Sequence, residues 1–147
     1  MTAAKGSAAF SWPIRVYWED TDGGGVVYHA SYLRFLERAR SEWLRSLGIG
    51  QQALRETQDL MFAVRSVSME FLAPARLDDE LEATVELIEA RHASLRFRQT
   101  LRRTTDAVVV VEAQVRAACL TASTFRPRPI PNGMFPAGLL KSDKNFS

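Results

Sequence analysis

A single cysteine, Cys119, in a chain of 147 residues rules out an intrachain disulfide and any zinc site built on several thiolates. It lies in the apolar run Val115, Ala117, Cys119, which reads as a buried, inert thiol in a reducing compartment. The chain has only two histidines, His29 and His92, and carboxylates gather near just one of them, so no metal is expected. No window approaches the roughly 18 apolar residues of a membrane span. Met1 to Ser11 lacks the apolar core of about 7–15 residues that marks a signal peptide. These absences point to the cytoplasm. Neither sign of charge dominates, with 19 Lys and Arg against 17 Asp and Glu, so no stripe suited to nucleic acid is visible. The pI near 9.0 permits an anionic ligand without requiring one. Phosphate-cradling G-x-x-x-x-G-K, dinucleotide-binding G-x-G-x-x-G and the G-x-S-x-G nucleophile elbow are all missing, and no cofactor is implied.

What is present suits one folded domain, since 46% of residues are hydrophobic and 24% charged. A domain of this size gains from pairing with a copy of itself. Ile14 to Trp18 reads as a strand just after Pro13, with Ile14, Val16 and Trp18 on one face. From about Ala30 to Leu47 the apolar residues Tyr32, Leu36, Ala39, Trp43 and Leu47 recur at helical spacing, widened by Leu33 and Leu44. Gly48 supplies a stop, and a shorter helix over Ile49 to Glu56 follows. Four alternating segments come next: Met61–Leu72, Leu81–Ile88, Leu95–Arg102 and Val108–Leu120. In the first, the apolar face switches from Phe62 and Val64 to Val67, Met69 and Phe71. Short turns between segments imply an antiparallel sheet. One long helix against five strands packs as α+β, with the sheet curled round the helix. Arg126-Pro127-Arg128-Pro129-Ile130-Pro131 is expected as an extended surface segment that continues no strand. The expected division is a flexible N-terminus over 1–11, one domain over 12–131 and a mobile tail over 132–147.

The chemistry concentrates between Glu19 and His29. That stretch holds Glu19, Asp20 and Asp22, then Gly23, Gly24 and Gly25, and reaches His29 where the long helix begins. A helix start offers unpaired N–H groups and partial positive charge, which polarise a carbonyl and stabilise its oxyanion. Consecutive glycines cost entropy and are tolerated where a backbone must be approached closely. A carboxylate just ahead of that helix can act as a nucleophile or as base for a water. Asp22, which abuts the glycines, is favoured over Asp20, whose place at the strand end suits a solvated or capping role. The plainer reading of Asp-Gly is a turn in which Asp bonds its own backbone. His29 is either a substrate-orienting group or an idle first-turn residue, and His92 reads as an exposed turn residue.

The run Val16-Tyr17-Trp18-Glu19-Asp20-Thr21-Asp22-Gly23-Gly24-Gly25-Val26-Val27-Tyr28-His29-Ala30-Ser31-Tyr32, continuing through Phe35-Leu36-Glu37-Arg38-Ala39-Arg40, resembles the signature of hotdog-fold acyl-CoA thioesterases. It is most similar to the Tol–Pal-associated, YbgC-type branch of the 4-hydroxybenzoyl-CoA thioesterase-like group. Phe71-Leu72-Ala73-Pro74-Ala75-Arg76-Leu77-Asp78-Asp79 resembles the same branch, and the likeness spans roughly residues 12 to 131. The resemblance implies a five-stranded antiparallel sheet wrapped round a long central helix. It also implies a homodimer joined edge to edge, or a dimer of dimers (a homotetramer), with sites at subunit interfaces. It implies Asp22 and His29 as catalytic residues, and Gly24, Gly25 and Tyr28 as substrate-binding ones. Some members carry a catalytic tyrosine four residues before the aspartate, and here Trp18 stands there. The implied reaction is hydrolysis of an acyl-CoA, or of the same acyl group on acyl carrier protein. Arg65, Ser68, Arg126 and Arg128 are candidates for the phosphates of coenzyme A. Two other readings compete: a dehydratase or hydratase on acyl thioesters, and a non-enzymatic acyl-thioester-binding or assembly module serving envelope or phospholipid-synthesis proteins.

Overall fold

A computed structural model describes residues 10–135. Its strands are β1 (Phe10–Arg15), β2 (Leu60–Phe71), β3 (Glu80–Ala90), β4 (Ser94–Arg103), β5 (Val109–Thr121) and the two-residue β6 (Arg126–Pro127). Two helices, α1 (His29–Ser46) and α2 (Gln51–Gln58), lie between β1 and β2. The expected helix is therefore present, one residue longer at its start and one shorter at its end. It stops where Gly48 takes φ +81° and the Ile49 N–H reaches back to the Leu44 carbonyl at 3.0 Å.

The sheet is antiparallel in the order β1-β3-β4-β5-β2. Turns join β3 to β4 and β4 to β5 as hairpins, but β2 and β3, consecutive in the chain, do not pair. β2 lies against β5 at one edge and β3 against β1 near the other, so residues 72–79 form a crossover. Strict alternation carries the core: Leu81, Ala83, Val85 and Leu87 of β3, Leu95, Phe97 and Leu101 of β4, and Val111, Ala113, Val115 and Ala117 of β5 are all buried. Against them pack Tyr32, Phe35, Leu36, Ala39, Trp43 and Leu44 of α1, with Trp43 edge-on to Phe97 at 5.3 Å. Leu33, expected to widen that stripe, is instead exposed. The switch of apolar face in β2 is a bulge, because the β5 register shifts between Val64 and Ser66.

Three expectations need correction. β1 starts at Phe10 and contains Pro13, which an edge strand accommodates. It ends before Trp18, which opens a 3-10 turn over Trp18–Asp20 and is 76% exposed rather than facing the core. The proline-rich segment does pair, as β6 on β5. Prolines at 127, 129 and 131 leave the alternate N–H groups available. Arg128 donates to the Cys119 carbonyl at 3.0 Å and Ile130 to that of His92 at 2.8 Å. At the two ends of the described residues, Phe10 pairs with Val85 and Phe135 stacks on Trp43 at 5.7 Å. The remaining expectations for 1–9 and 136–147 lie outside the described residues.

Candidate active site

The chain from Asp20 to Tyr28 is closed on itself by backbone bonds. Tyr28 N–H donates to the Asp20 carbonyl at 2.9 Å, Thr21 pairs with Val27, and Asp22 N–H donates to the Val26 carbonyl at 3.0 Å. Gly23 and Gly25 take φ +91° and +88°, which side-chain-bearing residues rarely adopt, so this small loop needs glycine at both positions. Space is tight at Gly24 as well: a Cβ there would stand 3.3 Å from Asp22 Oδ1, so that side chain would have to shift slightly.

The turn reading of Asp22 and the functional one hold together. Asp22 is exposed, its Oδ1 accepts the Gly24 N–H at 2.8 Å, and Oδ2 has no partner among the described residues. One oxygen fixes the side chain while the other stays available for chemistry. At the far end of the loop, α1 starts with no side-chain cap. Tyr28 N–H is occupied by Asp20, so the first free donor belongs to His29 rather than to Tyr28. The His29 ring is exposed and packs at 4.8 Å from Phe71, the last residue of β2. Asp22 and His29 thus flank one helix start without bonding each other.

Asp20, expected in a solvated or capping role, takes the capping one and is buried rather than solvated. It is 2% exposed; its Oδ2 accepts the Tyr17 N–H at 2.8 Å and its Oδ1 the Arg34 guanidinium at 3.2 Å. Its carbonyl takes the Ser31 hydroxyl as well as the Tyr28 N–H. It acts as a clamp between the 3-10 turn and the first turns of α1. The crossover loop was an omission of sequence reasoning. Val27 N–H donates to the Ala75 carbonyl at 2.8 Å, Leu77 N–H to that of Gly25 at 3.1 Å, and Ala75 N–H to the Tyr32 hydroxyl at 3.1 Å. The motif at 71–79 therefore braces the glycine loop from behind.

Other candidates are placed elsewhere. Arg128 caps the end of α2 through the carbonyls of Gln58 and Asp59. Ser68 lies in a depression lined by Glu70, Glu112 and Arg98, and that arginine is paired with Glu86. Arg126, like Phe125 before it, is exposed, at the end of β5 where it pairs with Thr121. Tyr17 and Trp18 both face solvent. Burial pushes the Cys119 thiol above its usual value, as suits an inert group. Among the described residues no cluster of His, Cys, Asp or Glu is arranged to hold a metal, and no helix is long and apolar enough to cross a membrane.

A cavity of about 470 Å³ beside the site is not lined by Asp22 or His29. It begins one turn further on, at Leu33 of α1 and Val67 of β2, and runs between these elements past Glu37, Arg40 and Phe62. Leu33 follows His29 by one turn, and Val67 precedes Phe71 on the same strand face, so the groove leads away from the helix start. It is lined mainly by apolar side chains and lies along the open edge of β2.

A long helix enclosed by an antiparallel sheet, with a carboxylate and a glycine loop at its start, defines a hotdog-fold thioesterase. The chain belongs to the thioesterase-like superfamily, whose family model matches residues 16–137. It is 45% identical to the acyl-CoA thioesterase YbgC of Haemophilus influenzae over 83% of this chain and 88% of that protein. To the acyl-CoA thioester hydrolase YbgC of Escherichia coli O6:H1 it is 46% identical, over 85% and 92%. Among solved structures it is similar to a probable thioesterase from Bartonella henselae, with 34% identity and a TM-score of 0.79 over 84% of this chain and all of that one. A 1,4-dihydroxy-2-naphthoyl-CoA thioesterase from Synechocystis superposes with a TM-score of 0.78 at 26% identity, over 84% and 90%.

Proposed function

We propose that this protein hydrolyses acyl-CoA thioesters to a free acid and the coenzyme A thiol, with Asp22 and the first turn of α1 as its reacting centre. The observation that carries the site is the half-used carboxylate of Asp22, fixed through Oδ1 and open at Oδ2. The thioester carbonyl sits against the His29 N–H, where the helix dipole stabilises the oxyanion. Gly24 and Gly25 keep the approach free of side chains, and Tyr28 and the His29 ring flank the acyl sulfur. Asp22 Oδ2 either attacks the carbonyl to give a mixed anhydride, which water then cleaves, or takes a proton from the attacking water. Coenzyme A leaves as a thiolate whose conjugate acid has a pKa of about 8.5, so no strong general acid is needed. That removes the demand for a hydroxyl at Trp18.

The unit that works is a homodimer, or a dimer of dimers, joined through β2. Among the described residues this strand pairs only with β5, and Val64, Val67 and Phe71 along it are exposed. Pairing would cover that edge and close the open side of the groove. Acyl carrier protein serves as a second carrier of the same acyl group. The setting is the cytoplasm, where a lone thiol such as Cys119 stays reduced.

Thiol release from a panel of acyl-CoAs, aliphatic and aromatic, tests the reading. Asp22→Asn is expected to lower kcat by at least about 100-fold, the loss typical of a removed acid–base group. Undiminished hydrolysis in that variant would remove Asp22 from the mechanism. Absence of release from every acyl-CoA and every acyl carrier protein thioester would favour a binding module instead.

A further inference from the structure

Gln99 is a fully buried amide on the inner face of β4, among Phe97, Leu101 and the core side of α1. A buried amide costs free energy unless every polar atom is bonded. Its Nε2 donates to the carbonyls of Leu36 and Thr84, both at 3.2 Å, which turns Oε1 towards α1. There Oε1 accepts Nη1 of Arg40 at 3.0 Å. Arg40 lines the groove between α1 and β2 and has no carboxylate within ion-pair distance among the described residues. Burial pushes its guanidinium below the usual arginine value, an effect partly offset by Glu37 one turn back.

The geometry of that guanidinium is informative. With Nη1 tied to Gln99, Nε–H and the outer Nη2–H remain, and together they form the side edge that grips a carboxylate through two parallel bonds. A part-buried cation held by Gln99 in a mainly apolar groove, with no ion-pair partner among the described residues, is an expensive arrangement for structure alone. Arg34, the other arginine that lines the groove, differs in being neutralised by Asp20.

We infer that Arg40, aimed by Gln99, is a specificity-determining residue that binds a carboxylate at the far end of the acyl group, so that preferred substrates are coenzyme A monothioesters of dicarboxylic acids. The role of Arg40 rests on the thioesterase reading, because it takes the His29 N–H as the place of the thioester carbonyl. Eleven residues separate His29 from Arg40 on α1, or about 16 Å of helix rise. Long helical side chains lean towards the N-terminus, which brings the guanidinium to roughly 10 Å from that N–H. An extended acyl chain of about eight carbons spans this length.

Suberyl-CoA and octanoyl-CoA, equal in chain length and different only at the far end, are the probes. The wild-type ratio of their kcat/KM values is expected to favour suberyl-CoA by about tenfold or more. Arg40→Gln should bring the ratio near or below one, and Arg40→Lys, which keeps the charge without the fork, should restore it in part. Glu37→Gln should raise it by removing a nearby like charge. Each ratio is internal to one preparation, so partial unfolding of a variant cancels. Calorimetric binding of both thioesters to Asp22→Asn reads the same preference without turnover. This separates failure at Arg40, seen as equal binding of the two, from failure at Asp22, seen as hydrolysis undiminished in that variant. A wild-type preference for octanoyl-CoA overturns the assignment. So does a ratio untouched by Arg40→Gln, whatever the oligomeric state, and dissociation of the dimer in that variant would make Arg40 a partner contact instead.

Discussion

Two aspartates two residues apart have different tasks here, and burial separates them. Asp22 is exposed with one oxygen open, whereas Asp20 has both oxygens and its carbonyl engaged. Asp20 is therefore a positioning residue, holding the ends of the loop that carries Asp22. Asp20→Ala leaves the Tyr17 N–H and the Arg34 guanidinium without their acceptor. Half-exposed Arg34 can turn to water, so most of the expected loss, about 1–3 kcal/mol, comes from the stranded N–H and the void. Thermal unfolding should register it, and kcat should fall while Asp20→Asn, which retains an acceptor, recovers part of both. A variant Asp20→Ala that melts and turns over like wild type would refute the clamp. Sequence patterning reached its capping role but not its burial, for a physical reason: its partners Ser31 and Arg34 lie beyond the loop, on a helix face that only the fold brings back to it.

The elements show the same division between local and long-range information. Helix α1 and the alternation of β3, β4 and β5 are written in side-chain spacing, and even the bulge in β2 is visible as a change of apolar face between Val64 and Val67. What spacing cannot reveal is which strands meet. Hairpin-length turns suit neighbours, yet residues 72–79 carry the chain across the sheet, and β6 pairs despite its prolines. Trp18 misled because period-two reasoning fails once a strand gives way to a 3-10 turn. The crossover gains its role through Tyr32, whose hydroxyl joins the first turns of α1 to Ala75 behind the glycine loop. Burial raises the Tyr32 pKa, so the neutral phenol is favoured in the folded state and its contribution is lost only as pH rises through that raised value, above about 10. Tyr32→Phe removes the acceptor and keeps the ring packed on Phe35 and Phe71. It should cost about 1–2 kcal/mol in denaturant unfolding, and amide exchange of Ala75 and Val27 should quicken more than that of core strands. Unchanged exchange at those two amides would show that the brace is slack.

At the scale of the whole molecule, the open flank of β2 decides whether one copy suffices. Twelve residues of edge strand extend for roughly 40 Å, with a groove beside them that one protomer does not close. Soluble proteins protect such edges with charges, prolines, bulges or cover; β2 has a bulge and the charges Arg65 and Glu70, but neither lysine nor proline. Val64 and Val67 instead present apolar surface, 47% and 36% exposed, next to the unpaired backbone. A two-fold pairing of β2 with its copy would bury both and would bring the partner close to Phe71 and His29. Lysines at both positions, Val64→Lys with Val67→Lys, place like charges across such a junction and leave each protomer's own core untouched. Light scattering coupled to gel filtration should then report the mass of one chain, 16.5 kDa, where wild type gives a multiple of it. Thiol release should fall with the loss of the dimer, and should recover at high protein concentration if the groove's missing wall is the partner itself. A double variant that stays dimeric would move the junction to another surface. A monomer with full activity would show that Asp22, the His29 N–H and the groove make a complete site within one chain.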